Sequence, residues 1–105
     1  MKIKKGDVML SLESVQEKIK SLKPYLDKQY AVSGLYIFGS FARNEQTDAS
    51  DIDLLIDFRK TPDLLTFLEI EEFLSQKLGH KIDLVPRRKL KSRLREQIME
   101  EALAV

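Results

Sequence analysis

The sequence predicts a small domain of the α/β (α+β) class, a sheet flanked by helices. Three observations predict it. Apolar residues recur at helical spacing in several long segments. Between those segments lie short apolar runs, bounded by turn residues, that read as strands. At 105 residues the chain suits one hydrophobic core, so a single domain over 1–105 is expected.

The elements follow in order. Val8, Leu12, Val15, Ile19, Leu22 and Leu26 are spaced 4, 3, 4, 3 and 4 residues apart, so Asp7 to about Tyr30 is expected to be helical. Asp7 or Ser11 is its candidate cap. Pro24 removes a backbone donor and predicts a kink or break near Lys23. Ser33-Gly34 is read as a turn and Leu35–Phe38 as a short buried strand. Ser40 to Arg43 looks like the first turn of a helix, and Asn44 to Ser50 is a polar loop. Asp51 to Phe58 is the second strand. Thr61-Pro62-Asp63 has the chemistry of a helix start, with a hydroxyl cap, a first-turn proline and an acid at the positive end of the dipole. Leu64, Leu65, Leu68, Phe73, Leu74 and Leu78 are expected on that helix's buried face. Lys77 sits in its last turn and Gly79 closes it. Lys81 to Val85 is a third strand, stopped by Pro86. Arg87 to about Leu103 reads as one final helix, with Leu90, Leu94, Ile98 and Ala102 in a single i, i+4 row.

Composition excludes several classes. Apolar residues make up 43% and charged residues 33% of the chain, and the net charge is +1, so bulk charge selects no partner. With no cysteine, disulfide frameworks and thiolate zinc sites are excluded, and a reducing cytoplasm is compatible. The basic start MKIKKGDVML has no long apolar stretch behind it, so neither a signal peptide nor a membrane span is expected.

The chemistry concentrates in YIFGSFARNEQTDASDIDLLIDF, from Tyr36 to Phe58. Strand side chains alternate faces, so Asp51 and Asp53 point one way while Ile52, Leu54 and Ile56 point the other. Leu55 and Asp57 continue the acidic face, with Asp57 read as a strand-end surface acid. Asp83 is another lone acid in a strand. If the strands are neighbours, three carboxylates converge. Such a group is self-repelling without a cation, and oxygen ligands suit Mg²⁺ or Mn²⁺. A pair of such ions clamps the attacking and leaving oxygens of a phosphoryl transfer. The bland rival is that each acid pairs with a Lys or Arg or faces water. Gly39-Ser40 stands where a strand ends, and free N–H groups there, with the serine hydroxyl, bind phosphate. Arg43, one turn on, reaches the same anion.

GSFARNEQTDASDIDLLIDF resembles the signature of the DNA polymerase β-type nucleotidyltransferase superfamily: Gly-Ser, then Asp-x-Asp on the next strand. Within it the chain is similar to the minimal nucleotidyltransferases of bacteria and archaea, from the leading helix through KIDLV. The resemblance implies a polymerase β-like fold with a small mixed sheet. It implies that Asp51 and Asp53 hold Mg²⁺, and that Asp83 completes the metal site and helps deprotonate the attacking hydroxyl. It further implies that Gly39 and Ser40 hold the terminal phosphates of the nucleotide. One departure is Asn44, where the family often has glycine after Arg43; asparagine tolerates a left-handed backbone. The resemblance also implies a role as an antitoxin beside a HEPN-type ribonuclease toxin, some members transferring AMP from ATP to a toxin tyrosine. The domain leaves little chain to build an acceptor pocket, so a partner or another copy is expected to present the hydroxyl.

Other features remain. Arg87, Arg88, Lys89, Lys91, Arg93 and Arg95 fall within nine residues with no acid before Glu96. Charge of that sign opposes the dipole at a helix start. It suits nucleic acid, ATP phosphates, an acidic partner or simply a solvated face, and the lack of interleaved aromatics disfavours single-stranded nucleic acid. His80, the one histidine, is read as a turn residue at a helix end. Tyr25, Tyr30 and Tyr36 are read as core-edge residues. The favoured function is AMP transfer from ATP to a protein hydroxyl. Its rivals are an antitoxin that acts by binding alone and, last, a nucleic-acid-binding module.

Overall fold

The computed structural model describes residues 10–105. Helix α1 is Leu12–Tyr30 and starts at Ser11, whose side chain accepts a hydrogen bond from the Ser14 amide. Ser11 is therefore the cap; Asp7 and Val8 lie outside the described residues. The helix runs through Pro24 without dividing. Pro24 is exposed, so the carbonyl it leaves unpaired one turn back lies on the solvent side.

The reversal after α1 is made by Ala31, not by Ser33-Gly34. Ala31 adopts a left-handed conformation (φ 58°) and its N–H closes the helix on Asp27 and Leu26. Ser33 and Gly34 are already part of strand β1, Val32–Phe38, with a register shift between Val32 and Gly34 that absorbs the irregularity. Strand β2 is Ile52–Phe58, helix α2 Leu64–Leu78 and strand β3 Ile82–Pro86. Asp63, rather than Thr61, caps α2: its carboxylate accepts from the Thr66 N–H at 2.8 Å. Gly79 ends the helix at φ 63°, as a left-handed cap requires.

The sheet has four strands in the order β3-β2-β1-β4. Strands β1 and β2 are antiparallel and β2 and β3 parallel, so the sheet is mixed. One face buries the core. Val15, Ile19 and Leu26 of α1 and Ile70, Leu74 and Leu78 of α2 pack on Leu35, Ile37, Ile52, Leu54, Ile56, Ile82 and Leu84. Alternation then sends Tyr36, Asp53, Leu55, Asp57 and Asp83 to the other face.

Helix α2 buries Leu74 and Leu78 as expected and packs Phe73 against the core, but its first two turns face the sheet along a different stripe. Phe67, Ile70, Leu74 and Leu78 form it, spaced 3, 4 and 4 residues apart. Leu64, Leu65 and Leu68 lie outside it, exposed by 70%, 78% and 48%. Two apolar rows overlap in this helix, and the aromatic-to-isoleucine row wins the sheet.

The chain after β3 also differs from expectation. It forms a 3₁₀ turn, Arg87–Lys89, then a separate helix α3, Ser92–Glu101, then strand β4, Leu103–Ala104. Strand β4 pairs antiparallel with β1 at Tyr36 and Ile37, and the Val105 N–H donates to the Leu35 carbonyl at 3.0 Å. No residue of α3 is buried, and Leu94 is 47% exposed, so the Leu90, Leu94, Ile98, Ala102 row is not a core stripe. Helix α3 begins at Lys91 with no side-chain cap and no acid in its first turn. Leu90 and Lys91 are extended, with ψ 139° and 146°, which separates the 3₁₀ turn from the helix. No helix among the described residues is long and apolar enough to cross a membrane.

Candidate active site

The parallel ladder between β2 and β3 sets Asp53 directly beside Asp83 as register partners. Strands in this direction lie about 4.8 Å apart and partners share a face, so two carboxylates are side by side. Asp51 lies just before β2. It is partly exposed and its Oδ2 is 3.7 Å from Lys81 Nζ. Asp53 is half-buried and makes no hydrogen bond or ion pair among the described residues. Desolvation raises its pKa above the ordinary 3.8; Asp83 and Asp51 raise it further, and only Arg43 opposes.

Across the sheet, Asp53 partners Phe38 of β1, and Gly39 follows. Gly39 has φ 73°, and a Cβ there would stand 2.2 Å from Asp53 Oδ2. Glycine is required twice, by the backbone conformation and by the carboxylate pressed against it. The segment from Gly39 makes a single helical turn, with the Arg43 N–H donating to the Gly39 carbonyl at 3.2 Å and the Glu45 N–H to the Ser40 carbonyl at 2.8 Å. Asn44 then ends the turn at φ 59°, the left-handed geometry that glycine supplies elsewhere. The amides of Ser40, Phe41 and Ala42 donate to no protein acceptor among the described residues. A free amide cluster and a desolvated acid thus share one end of the central strands β1 and β2.

An oxygen-only donor set fits a hard divalent cation. Asp53 carries negative charge in a half-buried place between two further acids with no cation of its own, and Mg²⁺ or Mn²⁺ supplies what the protein omits. Among the described residues no three acidic or histidine side chains are gathered tightly enough to cage an ion by themselves. The ladder brings Asp53 and Asp83 together, while Asp51 stands at the mouth beside Lys81. Mg²⁺ held by few carboxylates completes its shell with water and phosphate oxygens, which suits an open arrangement.

Arg43 is on the expected turn but is engaged elsewhere. It is exposed, and donates to Glu45 Oε1 at 2.9 Å and to Glu101 Oε1, at the end of α3, at 2.8 Å. The basic run is split. Arg87 turns inward, 2.9 Å from Asp57 Oδ2 and 5.3 Å from the centre of the Tyr36 ring. Asp57 is therefore a partly buried partner and not a free surface acid. Arg88 and Lys89 line a cavity of about 210 Å³ with Phe58, Pro62, Leu64, Phe67 and Pro86, at the far end of the strands from Asp53. Two contributions were not readable in the sequence. His80 hydrogen-bonds the Ser50 carbonyl, next to Asp51. Glu101 reaches back to Arg43. Neither carries a local spacing signal, because each joins segments far apart in the chain.

Residues 19–105 match the Nucleotidyltransferase domain family. A Methanocaldococcus jannaschii protein, named as a candidate protein adenylyltransferase, is 42% identical over 90% of this chain and 97% of its own. The protein adenylyltransferase MntA of Thermococcus cleftensis is 37% identical over 92% of this chain and 98% of its own. A solved chain described as a candidate minimal nucleotidyltransferase superposes with TM-score 0.78 at 32% identity, covering 91% of this chain and 97% of that one. A toxin–antitoxin structure with AMP-PNP aligns with TM-score 0.68 at 26% identity, over 83% of this chain and 70% of that one. The chain belongs to the nucleotidyltransferase domain family, and within it to the minimal nucleotidyltransferases.

Proposed function

We propose that this nucleotidyltransferase moves AMP from ATP to a hydroxyl of a partner protein, a tyrosine of a HEPN-type toxin, and so acts as a cytoplasmic antitoxin. The observation that carries the reading is Asp53: a desolvated carboxylate, beside Asp83, without a protein cation, against the Gly39 backbone. Similar chains named as protein adenylyltransferases and the toxin–antitoxin likeness support the acceptor class.

Asp51, Asp53 and Asp83 are the residues that would hold Mg²⁺. Bound there, the ion supplies neutralisation of phosphate charge at the reacting centre. The free amides of the Gly39-Ser40 turn, with the Ser40 hydroxyl, hold the β- and γ-phosphates. The acceptor oxygen attacks the α-phosphorus, the bond to the β-phosphate bridging oxygen breaks, and pyrophosphate leaves. Asp83 takes the acceptor's proton and passes it to solvent. Arg43 joins the phosphates once it lets go of Glu45 and Glu101.

The test is mass spectrometry on the protein that co-purifies from native cells, incubated with ATP and Mg²⁺. A partner carrying AMP adducts, absent with the Asp51→Asn, Asp53→Asn protein, is the expected result. A stoichiometric partner that stays unmodified, yet is still neutralised by the double variant, would instead establish an antitoxin acting by binding alone. The ion pairs of Arg43 are the observation on that reading's side.

A further inference from the structure

We infer that His80 is the positioning residue that fixes the nucleotide and metal site, by tying together the three segments that carry its side chains. The inference rests on the site reading above but concerns a residue outside the six assigned to it. His80 follows Gly79 at the end of α2 and leads into β3, which carries Asp83. Its backbone is clamped on both sides: the His80 N–H donates to the Ser75 carbonyl at 3.2 Å, and the Ser75 hydroxyl donates to the His80 carbonyl at 2.9 Å. The ring therefore starts from a fixed base.

From that base, Nε2 meets the Ser50 carbonyl. A carbonyl only accepts, so Nε2 carries the proton. Ser50 is the residue before Asp51, and the next backbone bond, the Ile52 N–H to the Lys81 carbonyl at 3.0 Å, begins the ladder that sets Asp53 beside Asp83. The ring also meets Phe41, edge-to-face at a centroid separation of 6.1 Å. Phe41 is fully buried and immediately follows Ser40 in the phosphate turn. One side chain thus touches the turn that carries Gly39 and Ser40 and the entry to the strand that carries Asp51 and Asp53, while its own backbone leads to Asp83.

The loop it holds needs holding. Asn44 to Asp51 has no regular structure and is kept by short local bonds such as the Ser50 N–H to the Thr47 carbonyl at 3.0 Å. Without the imidazole, the Ser50 carbonyl loses its donor and the backbone that carries Asp51 into β2 is free to shift. Supports of this kind, one step behind the ligands, set metal affinity by about 10- to 100-fold.

Two variants separate the hydrogen bond from the packing. His80→Gln places an amide donor near the Nε2 position and lacks the ring; His80→Leu fills space against Phe41 and lacks the donor. Two readouts apply: Mn²⁺ affinity in the presence of a non-hydrolysable ATP analogue, and amide hydrogen exchange across Ser40–Asp53. The expected result is about tenfold weaker Mn²⁺ binding and faster exchange in that segment for His80→Leu, with α1 unchanged, and near-native behaviour for His80→Gln. Equal Mn²⁺ affinity in wild type and His80→Leu, even with a lower melting temperature, overturns the inference and leaves the site reading standing. Loss in both variants with exchange unchanged across Ser40–Asp53 shows that His80 does not tie these segments together and overturns it too. Wild-type protein that binds no Mn²⁺ with the analogue overturns the site reading itself, and this inference with it.

Discussion

The stretch from Gly39 to Phe58 and the stretch from Arg87 to Val105 are similar in length, and they behave in opposite ways. In the first, local pattern and final structure coincide at every strand position but Asp57, which Arg87 holds from outside the segment. In the second, an equally regular apolar pattern predicted one long helix where the chain forms a 3₁₀ turn, a shorter helix with no buried residue and a strand. The difference lies in what fixes each side chain. Ladder register fixes the first: once β2 and β3 are parallel neighbours, the alternation that points Ile52, Leu54 and Ile56 into the core leaves Asp53 and Asp83 no other face. Partners fix the second. Arg87 is held by Asp57 and Tyr36, Glu101 by Arg43, and the last residues by β1. None of those partners is within reach of a helical repeat, so an i, i+4 row could not announce them.

If register and charge govern the first region, changes there should act on chemistry more than on folding. The largest effect is expected from Asp51→Asn or Asp53→Asn: transfer of AMP falls about 10³-fold or more, the scale of several kcal/mol of transition-state stabilisation, in an assay of labelled AMP on the partner. The fold should survive, with an unchanged circular dichroism spectrum. Next comes Gly39→Ala. The Cβ meets Asp53 Oδ2 at 2.2 Å and the left-handed backbone costs about 1–2 kcal/mol, so both the melting temperature and the transfer rate should fall. Survival of full activity in Gly39→Ala would mean that the turn and the acid do not work as one site.

The second region should respond through stability. Removing Leu103–Val105 strips β1 of its outer partner, including the bond to the Leu35 carbonyl, and should cost about 1–3 kcal/mol in urea unfolding. Arg87→Ala leaves the partly buried Asp57 without its cation and should cost about 1 kcal/mol, with little change in metal binding. The smallest effect tests the one link between the regions. Glu101→Gln releases one hold on Arg43 and should lower the KM for ATP about two- to threefold with kcat unchanged, the scale of an exposed ion pair. A larger change would make the C-terminal helix part of the site.

How much was readable follows from the same contrast. The turn at Gly39, the shared face of Asp53 and Asp83, the closure of α2 by Gly79 and the positive φ of Asn44 follow from local chemistry and were legible, whereas a convergence of all three acids was expected and Asp51 instead stands beside Lys81. The helix and strand order was legible too, apart from β4, a two-residue strand with no pattern of its own. Misreadings arose where two local solutions competed. Ala31 took the left-handed position that Ser33-Gly34 was expected to supply, Asp63 took the cap from Thr61, and in α2 the Phe67, Ile70, Leu74, Leu78 row displaced Leu64, Leu65 and Leu68. His80 looked like an ordinary turn residue because its partners, Ser50 and Phe41, are set by the fold.

The central claim is that Asp53 is held at an energetic cost that a bound cation offsets. Its raised pKa gives the sign. The folded state binds the proton more tightly than the unfolded chain, so protonated Asp53 favours folding at acid pH. That contribution is lost as pH rises through the carboxylate range above 3.8. The most direct measurement is the melting temperature of wild type and Asp53→Asn from pH 4 to 7, with and without Mg²⁺ and a non-hydrolysable ATP analogue. Without metal, Asp53→Asn should melt above wild type by a margin that grows with pH, and the metal and nucleotide should stabilise wild type alone. A variant that melts lower than wild type at neutral pH, or that gains as much from Mg²⁺ and nucleotide, would contradict the account.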